Sequence, residues 1–291
     1  MSMPADMIME RDRSTNPIPA ETLTESGFFW RESNGIRVLT CGPLRSARFE
    51  NAFSTRVGGV SAFPKDDLNL AGFDDDTKEN IAENRRRFLE LFDDQYELAT
   101  VWQVHGDGVK LVDSLGSARA SNDKCDAIIS DSHGVLAGVK TADCVPILIG
   151  DPRTGAFAAV HAGWRGTASS ITSKAVYELK RKFATDPADM IAAIGPAATA
   201  DSYEVGQDVI NAFRENFEDA DRYFRPTRAG HAFADIKGAN RDQLVAAGVR
   251  PESVFIAPHC TIERTDIFFS YRAEAAKLGK CGRLLSVIGR R

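Results

Sequence analysis

The sequence predicts an α+β fold in which a mainly antiparallel or mixed β-sheet core is flanked by helices. Short apolar runs recur along the chain, and the amphipathic helical stretches do not alternate with them in a strict βαβ rhythm. The strand-like runs between residues 100 and 160 are joined by connections too short for parallel crossovers. These observations favour largely antiparallel sheets with helices packed outside.

The chain of 291 residues has the composition of a globular protein, with 43% hydrophobic and 26% charged residues. Residues 1–25 carry charges where a signal peptide would need an apolar run, and we expect them to form a flexible tail. Residues 26–291 contain no Pro- or Ser-rich linker beyond residue 30 and no internal repeat, so we expect them to form a single domain.

The strand-like runs are bounded by turn residues, as in the loop GDPRTG, whose proline and glycine indicate a tight connection. The segment ATVWQVHGDGVKLVD, residues 99–113, is expected to form two strands broken at His105–Gly106. The other runs are NAFSTRVGGVS (51–61), CDAIISD (125–131), GVLAGVKTADCVPILIGD (134–151), TGAFAAVHAGW (154–164), SVFIAPHCT (253–261) and RLLSVIG (283–289).

Four stretches have the period of amphipathic helices. Asp76 or Thr77 can cap the first, and Thr167 or Ser169 the second, while Gly248 is a typical C-terminal stop for the fourth. The helices are expected at 76–92, 167–184, 206–217 and 235–248.

Charge and cysteine content restrict the class of protein. A net charge of −5 argues against broad nucleic-acid binding, which needs a basic surface. No apolar run approaches the roughly 18–20 residues of a membrane span. Five widely spaced cysteines fit a reducing compartment better than a disulfide framework. We therefore expect a cytoplasmic protein that binds neither nucleic acid nor membrane, and the oligomeric state stays open.

Three residues share a pattern that suggests a metal site. His105, Cys144 and His161 each lie at the end of a strand, with glycine after both histidines and a proline shortly after the cysteine. Such breaks free a side chain from sheet packing. Two imidazoles and a thiolate suit Zn²⁺, and three protein ligands leave a fourth position open. Because their spacing of 39 and 17 residues matches no short metal motif, the three can equally be ordinary core positions.

Basic and aromatic residues supply further candidates. Arg56 precedes Gly58–Gly59, whose turn can expose backbone N–H groups to an anion, and Arg165 lies near the start of the 167–184 helix. Both can bind phosphate or form surface ion pairs. Tyr271, in DIFFSYR, belongs to an aromatic cluster that can stack a base or pack in the core. His259 and Cys260 form a second pair, of which alternation directs at most one toward the same pocket.

An ordered set of segments resembles the YfiH-like family, which has been called polyphenol oxidase or laccase-domain protein and is linked to purine nucleoside phosphorylase activity and peptidoglycan editing. The resemblance extends over about residues 45–290. The segments are STRVGGVS, LNLAGFDDDTKENIAENRRRF, WQVHGDGV, CDAIISD, TADCVPILIGDP, VHAGWRGT, IGPAATADSYEVGQDV, GANRDQLVAAGV and CTIERTDIFFSYRAE.

The resemblance implies a β-sandwich-like core with outer helices and a metal held by three residues. His105, Cys144 and His161 match the ligands in the family's HG, ADC and HAGW motifs, with Zn²⁺ as the implied metal and Cu²⁺ assigned to some relatives. The implied reactions are phosphorolysis of adenosine, inosine and methylthioadenosine, with phosphate as co-substrate, and deamination of adenosine. Ala197 departs from the cysteine that the family often has there, so a second sulfur near the pocket is lost.

Several mechanisms remain open for these catalytic candidates. In phosphorolysis, Arg56 and Arg165 would hold phosphate. The H-x-E and P-C-x-x-C signature of the usual zinc nucleobase deaminases is absent, so Asp143 is the candidate acid or base for deamination. Alternatively, Cys144 is the nucleophile of a hydrolase that edits peptidoglycan precursors, with a histidine as base, or zinc serves that hydrolase.

Two further alternatives are a copper-dependent polyphenol oxidase and a protein that binds metal without catalysis. The usual multicopper oxidase needs a mononuclear and a trinuclear copper site, for which the five histidines of this chain are too few. A metal-binding protein without catalysis would show metal affinity but would turn over neither nucleosides nor precursors of peptidoglycan.

Overall fold

Two six-stranded β-sheets face each other across a shared apolar core in the computed structural model, which describes residues 20–62, 66–71, 76–92 and 96–291. The strands are β1 (Phe28–Ser33), β2 (Ile36–Cys41), β3 (Phe49–Ser54), β4 (Val57–Ser61), β5 (Glu97–Ala99), β6 (Val109–Leu111), β7 (Ala127–Ser130), β8 (Val135–Thr141), β9 (Val145–Gly150), β10 (Phe157–Ala162), β11 (Ile191–Ile194), β12 (Glu204–Gly206), β13 (Phe224–Pro226), β14 (His231–Ala234), β15 (Val254–Ile256) and β16 (Leu284–Arg290).

Helices lie outside the two sheets and along the connections between strands. They are α1 (Ala20–Glu25), α2 (Gly42–Ser46), α3 (Lys78–Leu89), α4 (Leu115–Arg119), α5 (Trp164–Ala168), α6 (Ile171–Phe183), α7 (Gln207–Asn216), α8 (Ile236–Ala246) and α9 (Ala276–Leu278), with a π-helical turn at Tyr271–Ala275. Within the described residues, no helix is both long and apolar enough to span a bilayer.

Antiparallel neighbours dominate both large sheets. The first sheet has the order β1-β2-β3-β16-β8-β5 and is parallel only at its β5–β8 edge. The second has the order β15-β11-β9-β10-β7-β6, with parallel pairs at its two edges. A small antiparallel sheet, β12-β14-β13, completes the set. The predicted α+β class, with a mixed and largely antiparallel sandwich core, is confirmed.

Apolar side chains from facing strands fill the space between the sheets. Phe53 and Ile288 from the first sheet belong to the same buried cluster as Leu148 and Ala159 from the second. Because side chains alternate along a strand, the opposite faces need separate cover. Helix α3 covers the first sheet, while α6, α7 and α8 cover the second. The sandwich therefore provides rigid strand ends from which the connecting loops project.

Local signals predicted two helix boundaries correctly and missed one break. The Thr77 hydroxyl accepts a hydrogen bond from the backbone N–H of Asn80 at the start of α3, and Gly248, with φ +103°, follows the end of α8. The helix expected at 167–184 is instead divided into α5 and α6, because Ser170 has a left-handed φ of +62°. Capping by Thr167 or Ser169 was therefore wrong.

Other boundaries also differ from the predictions. The break in the 99–113 segment spans residues 100–108, because β5 ends at Ala99 and β6 begins at Val109. Strand β15 contains only three residues of the predicted 253–261 strand. Of the tail predicted at residues 1–25, residues 1–19 lie outside the described residues, whereas 20–25 form α1, whose Leu23 is buried. These six residues are therefore part of the fold.

Candidate metal site and substrate cleft

The structure brings His105, Cys144 and His161 together at one end of the sandwich. Their ligand atoms all lie within 4.8 Å of one another, and the two imidazole rings are nearly perpendicular with centroids 4.9 Å apart. His161 is on β10 opposite Pro146 of β9, which places Cys144, just before β9, beside it. His105 comes from the 100–108 loop. Three separate segments of the chain thus contribute one donor each.

Asp126 connects two of these segments. Its carboxylate accepts a hydrogen bond from Nδ1 of His161 at 2.8 Å, which leaves Nε2 of that ring available to a metal. The same carboxylate accepts the backbone N–H groups of Val104, His105 and Gly106, at 3.3, 2.9 and 2.7 Å. His105 has a left-handed φ of +59°, and these bonds hold the loop in that conformation.

Gly163 leaves room for the cluster. A Cβ at this position would lie 3.0 Å from Cδ2 of His105 and 3.1 Å from Sγ of Cys144. Gly166 is restricted in a similar way, because its Cβ would lie 2.8 Å from the carbonyl oxygen of Gly106. Both glycines of the HAGWRG segment therefore allow α5 to approach the loop that carries His105.

Electrostatics favour an ionised thiol. Burial raises the pKa of Cys144, but the neighbouring His161 and His105 outweigh this effect and lower that pKa to about 6. Burial lowers the pKa of His161, but Cys144 and Asp126 outweigh it and raise that pKa to about 9. At neutral pH the metal-free pair is therefore a thiolate and an imidazolium. A thiolate with two imidazoles is a donor set that fits Zn²⁺.

A cleft of about 1330 Å³ opens over this cluster. Four aromatic side chains line it, which gives flat apolar surface for a heterocyclic ring: Trp102, Trp164, Tyr203 and Tyr271. Six cationic side chains also line it, which favours an anionic ligand: Lys78, Arg85, Lys140, Arg165, Arg272 and Arg283. The cleft therefore suits a molecule that is both aromatic and negatively charged, or an aromatic molecule and an anion bound together.

The two predicted phosphate ligands lie in different environments. Arg165 is exposed, lines the cleft and lies over the ring of Trp164 at 4.2 Å. Arg56 does not line the cleft and is only 2% exposed. Its guanidinium contacts Asp67 at 2.9 Å and Glu274 at 2.7 Å, so these carboxylates already neutralise it. The placement of Arg56 contradicts the expectation that it binds phosphate.

Tyr271 and Asp143 both line the cleft, but Tyr271 is exposed whereas Asp143 is held by hydrogen bonds. Tyr271 is 59% exposed, whereas the neighbouring Phe268 and Phe269 are core residues. Asp143 accepts hydrogen bonds from the Thr261 hydroxyl and the Arg272 N–H, both at 2.7 Å. Burial raises the pKa of Asp143, and these bonds only partly offset it.

The remaining sequence candidates lie in the core. His259 and Cys260 are both buried, and the His259 ring packs against Trp30 with centroids 5.2 Å apart. Neither of them lines the cleft. Ala197 is also a core residue and pairs with Cys260, whereas the next residue, Ala198, lines the cleft. The sulfur lost at Ala197 is therefore lost from the core and not from the cleft wall.

Four residues of the site were missed from the sequence. Asp126 is wholly buried at the start of an apolar strand, and this burial of a charge in CDAIISD was the available signal. Gly163 lies in the HAGW motif, but the motif by itself does not indicate the steric role of this glycine. Tyr203 and Arg272, whose guanidinium lies 4.8 Å from the Tyr203 ring, gave no local signal because this contact joins distant parts of the chain.

Comparisons with known proteins match most of the chain. The family model described as multi-copper polyphenol oxidoreductase laccase matches residues 50–291. A purine nucleoside phosphorylase of Deinococcus radiodurans is 37% identical over 242 residues, which cover 82% of this chain and 88% of the relative. The adenosine deaminase RL5, from an unknown prokaryotic organism, is 34% identical over 248 residues, 81% of this chain and 93% of the relative.

A third relative is similar in both sequence and structure. Purine nucleoside phosphorylase YlmD of Geobacillus stearothermophilus is 33% identical over 272 residues, 91% of this chain and 97% of the relative. The crystal structure of YlmD from this organism matches with a TM-score of 0.83 at 32% identity, covering 91% of this chain and 99% of the other. The similarity thus extends over most of both chains.

Proposed function

Since this chain belongs to the YfiH-like family, whose model is described as multi-copper polyphenol oxidoreductase laccase, we propose that it is a zinc-dependent purine nucleoside phosphorylase with adenosine deaminase activity. Adenosine, inosine and methylthioadenosine are the proposed nucleosides, and inorganic phosphate is the co-substrate. The observation that carries the proposal is the cluster of His105, Cys144 and His161 inside an aromatic and cationic cleft. The names of the relatives from Deinococcus radiodurans and Geobacillus stearothermophilus support the phosphorylase, and that of RL5 supports the deaminase.

Phosphorolysis needs groups that the cleft supplies. The bond between ribose C1′ and the purine nitrogen breaks, a phosphate oxygen bonds to C1′, and the departing purine takes up a proton. Aromatic faces at Trp102 and Tyr271 orient the base, and the Arg165 and Arg272 side chains neutralise phosphate. Zinc held by the three ligands would supply a Lewis acid at this point. Because the Asp143 oxygens already accept two bonds, we assign it the role of positioning the loop before Cys144.

Turnover of inosine tests this proposal. Zinc-loaded protein should release hypoxanthine only when phosphate is present, as measured by chromatography. Cys144→Ala removes a ligand and should reduce the rate to background. Cys125→Ala is the matched control, because Cys125 is partly exposed and does not line the cleft. Release of hypoxanthine without phosphate, or full activity of Cys144→Ala, would refute the phosphorylase proposal.

One observation favours a second candidate, a hydrolase with Cys144 as nucleophile. The lowered pKa of Cys144 and its contact with His161 are typical of an activated thiol. A chelator separates the two candidates, because it stops a metal enzyme while a thiol enzyme continues and is inactivated by iodoacetamide instead. The amide bonds of peptidoglycan precursors are the substrates to assay for the hydrolase.

A copper oxidase has less support. Among the described residues, only one group of three or more histidine, cysteine and acidic side chains is arranged to hold a metal, and it contains two of the five histidines. A mononuclear and a trinuclear copper site would need more imidazoles than this cluster offers. Oxygen consumption with a phenolic substrate and copper-loaded protein would measure any such activity directly.

A further inference from the structure

A second group of cations lies on the side of the cleft formed by the first sheet. We call Arg85, Lys140 and Arg283 the cationic subsite. Arg85 comes from α3, Lys140 from β8, and Arg283 from the residue just before β16, and all three line the cleft. None of them is part of the metal cluster or of the phosphate contacts proposed above.

Strand register brings two of these cations to the same face. Lys140 is paired with Leu285 across β8 and β16, and Arg283 lies two residues before Leu285, so alternation directs both side chains to one side of the first sheet. Helix α3 covers this face. The Arg85 Nε donates a hydrogen bond to the Leu70 carbonyl at 3.0 Å, while the Leu70 N–H donates to the Arg283 carbonyl, also at 3.0 Å. The three cations therefore converge between α3 and the sheet.

Backbone carbonyls accept the side-chain hydrogen bonds of Lys140 and Arg283. Lys140 Nζ donates to the Val101 carbonyl at 2.7 Å, and the Arg283 guanidinium donates to the carbonyls of Cys281 and Gly282. Within the part of the chain that the structure describes, neither Lys140 nor Arg283 forms an ion pair with a carboxylate. A carbonyl oxygen orients a cation but does not neutralise it, so Lys140 and Arg283 can each still accept a negatively charged partner.

The pKa of Lys140 also reflects the positive charge near it. Burial, and then the nearby charge of Arg85, lower the pKa of Lys140 to about 8. Positive charges held close together in a partly buried space repel each other, and a bound anion would relieve that repulsion. The Arg283 guanidinium also lies 5.7 Å from the ring of Tyr271, which joins the subsite to the aromatic part of the cleft.

We propose that Arg85, Lys140 and Arg283 form a binding site for a phosphate oxyanion in the cleft that Arg165 and Arg272 also line. Two guanidinium groups and an amine match the oxygens of phosphate with charge-assisted hydrogen bonds. This inference rests on the proposed function. The oxyanion can come from two sources: inorganic phosphate as co-substrate, or a phosphoryl group carried by a nucleotide in the same cleft. Inorganic phosphate and a nucleotide phosphoryl group both present an oxyanion, and binding experiments can distinguish them.

Calorimetric titration of the zinc-loaded protein with inorganic phosphate, AMP and adenosine tests the subsite. Lys140→Met removes the charge and keeps an unbranched side chain of similar length, and Arg283→Gln replaces the guanidinium with a shorter neutral amide. Lys180→Met, on the exposed face of α6 outside the cleft, is the matched control. Each subsite variant should weaken binding of its oxyanion about 10-fold or more, whereas the control should bind as wild type does.

Comparison of phosphate, AMP and adenosine binding shows which source of phosphate occupies the cationic subsite. If inorganic phosphate is the occupant, phosphate binding weakens in both subsite variants, and in turnover the KM for phosphate rises while the KM for inosine does not. If a nucleotide is the occupant, wild type binds AMP more tightly than adenosine and Lys140→Met loses that preference. Wild type that binds neither phosphate nor AMP, or variants that bind both as wild type does, would overturn the subsite.

The outcome for the subsite is separable from the outcome for the proposed function. Loss of oxyanion binding in Lys140→Met, in a protein that does not phosphorolyse inosine, would support the subsite and reject the phosphorylase. Inosine phosphorolysis with the same KM for phosphate in wild type and both variants, together with unchanged AMP binding, would reject the subsite and leave the phosphorylase standing.

Discussion

A single buried aspartate holds two of the three candidate metal ligands in place. Asp126 accepts the Nδ1 hydrogen of His161 and three consecutive backbone N–H groups around His105. Burial alone would raise the pKa of Asp126, but these donors outweigh it and lower that pKa, so the carboxylate is ionised at neutral pH. One negative charge therefore fixes both the tautomer of one histidine and the loop that carries the other.

Asp126→Asn should weaken zinc binding by roughly 10–100-fold, because the amide keeps the shape but cannot accept hydrogen bonds at both of its ends. Competition with a chromogenic chelator measures the zinc affinity. Asp151→Asn is the control, since Asp151 is equally buried but bonds its own turn at Arg153 and Thr154. Zinc binding by Asp126→Asn that equals wild type would show that the carboxylate does not position the ligands.

At the scale of elements, the start of α5 completes the cluster. Gly163 precedes this helix with extended backbone, and its missing side chain is the space that His105 and Cys144 fill. The following residues, Trp164 and Arg165, are thereby placed at the cleft wall. A short helix thus positions a cleft aromatic residue and a cation while leaving space for two ligands.

Gly163→Ala should lower zinc affinity about tenfold or more, because overpacking of about 1–3 kcal/mol falls on the two ligand side chains. Metal analysis of the purified variant and its thermal midpoint measure the loss of metal and of stability separately. Gly116→Ala in α4, where the added methyl would lie 4.0 Å from Oγ of Ser114, should change neither property appreciably. Full zinc occupancy and wild-type affinity in Gly163→Ala would contradict this steric argument.

At the scale of the molecule, the packing of one sheet on the other holds the strand ends from which the cleft loops project. Leu148 of β9 is fully buried between the sheets, in the same cluster as Phe53 and Ile288. The same strand begins one residue after Cys144. The stability of the core and the position of the cluster are therefore linked through β9.

Leu148→Ala should reduce the free energy of unfolding by about 2–5 kcal/mol, since a wholly buried leucine leaves a cavity. Chemical denaturation followed by circular dichroism measures the change. Leu115→Ala, at a site 41% exposed on α4, should cost far less. An equal free energy of unfolding in the two variants would show that the inter-sheet core does not determine the stability of the protein.

The sequence by itself determined the local elements and much of the fold class. Turn residues and short connections indicated antiparallel pairing, and Thr77 and Gly248 marked helix ends, because these effects act within a few residues. The family motifs grouped His105, Cys144 and His161, which spacing alone left open. The structure supports that grouping with ligand atoms within 4.8 Å of one another.

Only the tertiary structure decided which charged groups face the cleft. Arg56 had the same local appearance as Arg165, yet its partner Glu274 lies 218 residues away and holds it out of the cleft. Lys140, Arg85 and Arg283 converge because β8 pairs with β16 under α3, and Asp126 meets His161 across neighbouring strands. Pairing between charges depends on distance in space and on burial, and a short stretch of sequence records neither.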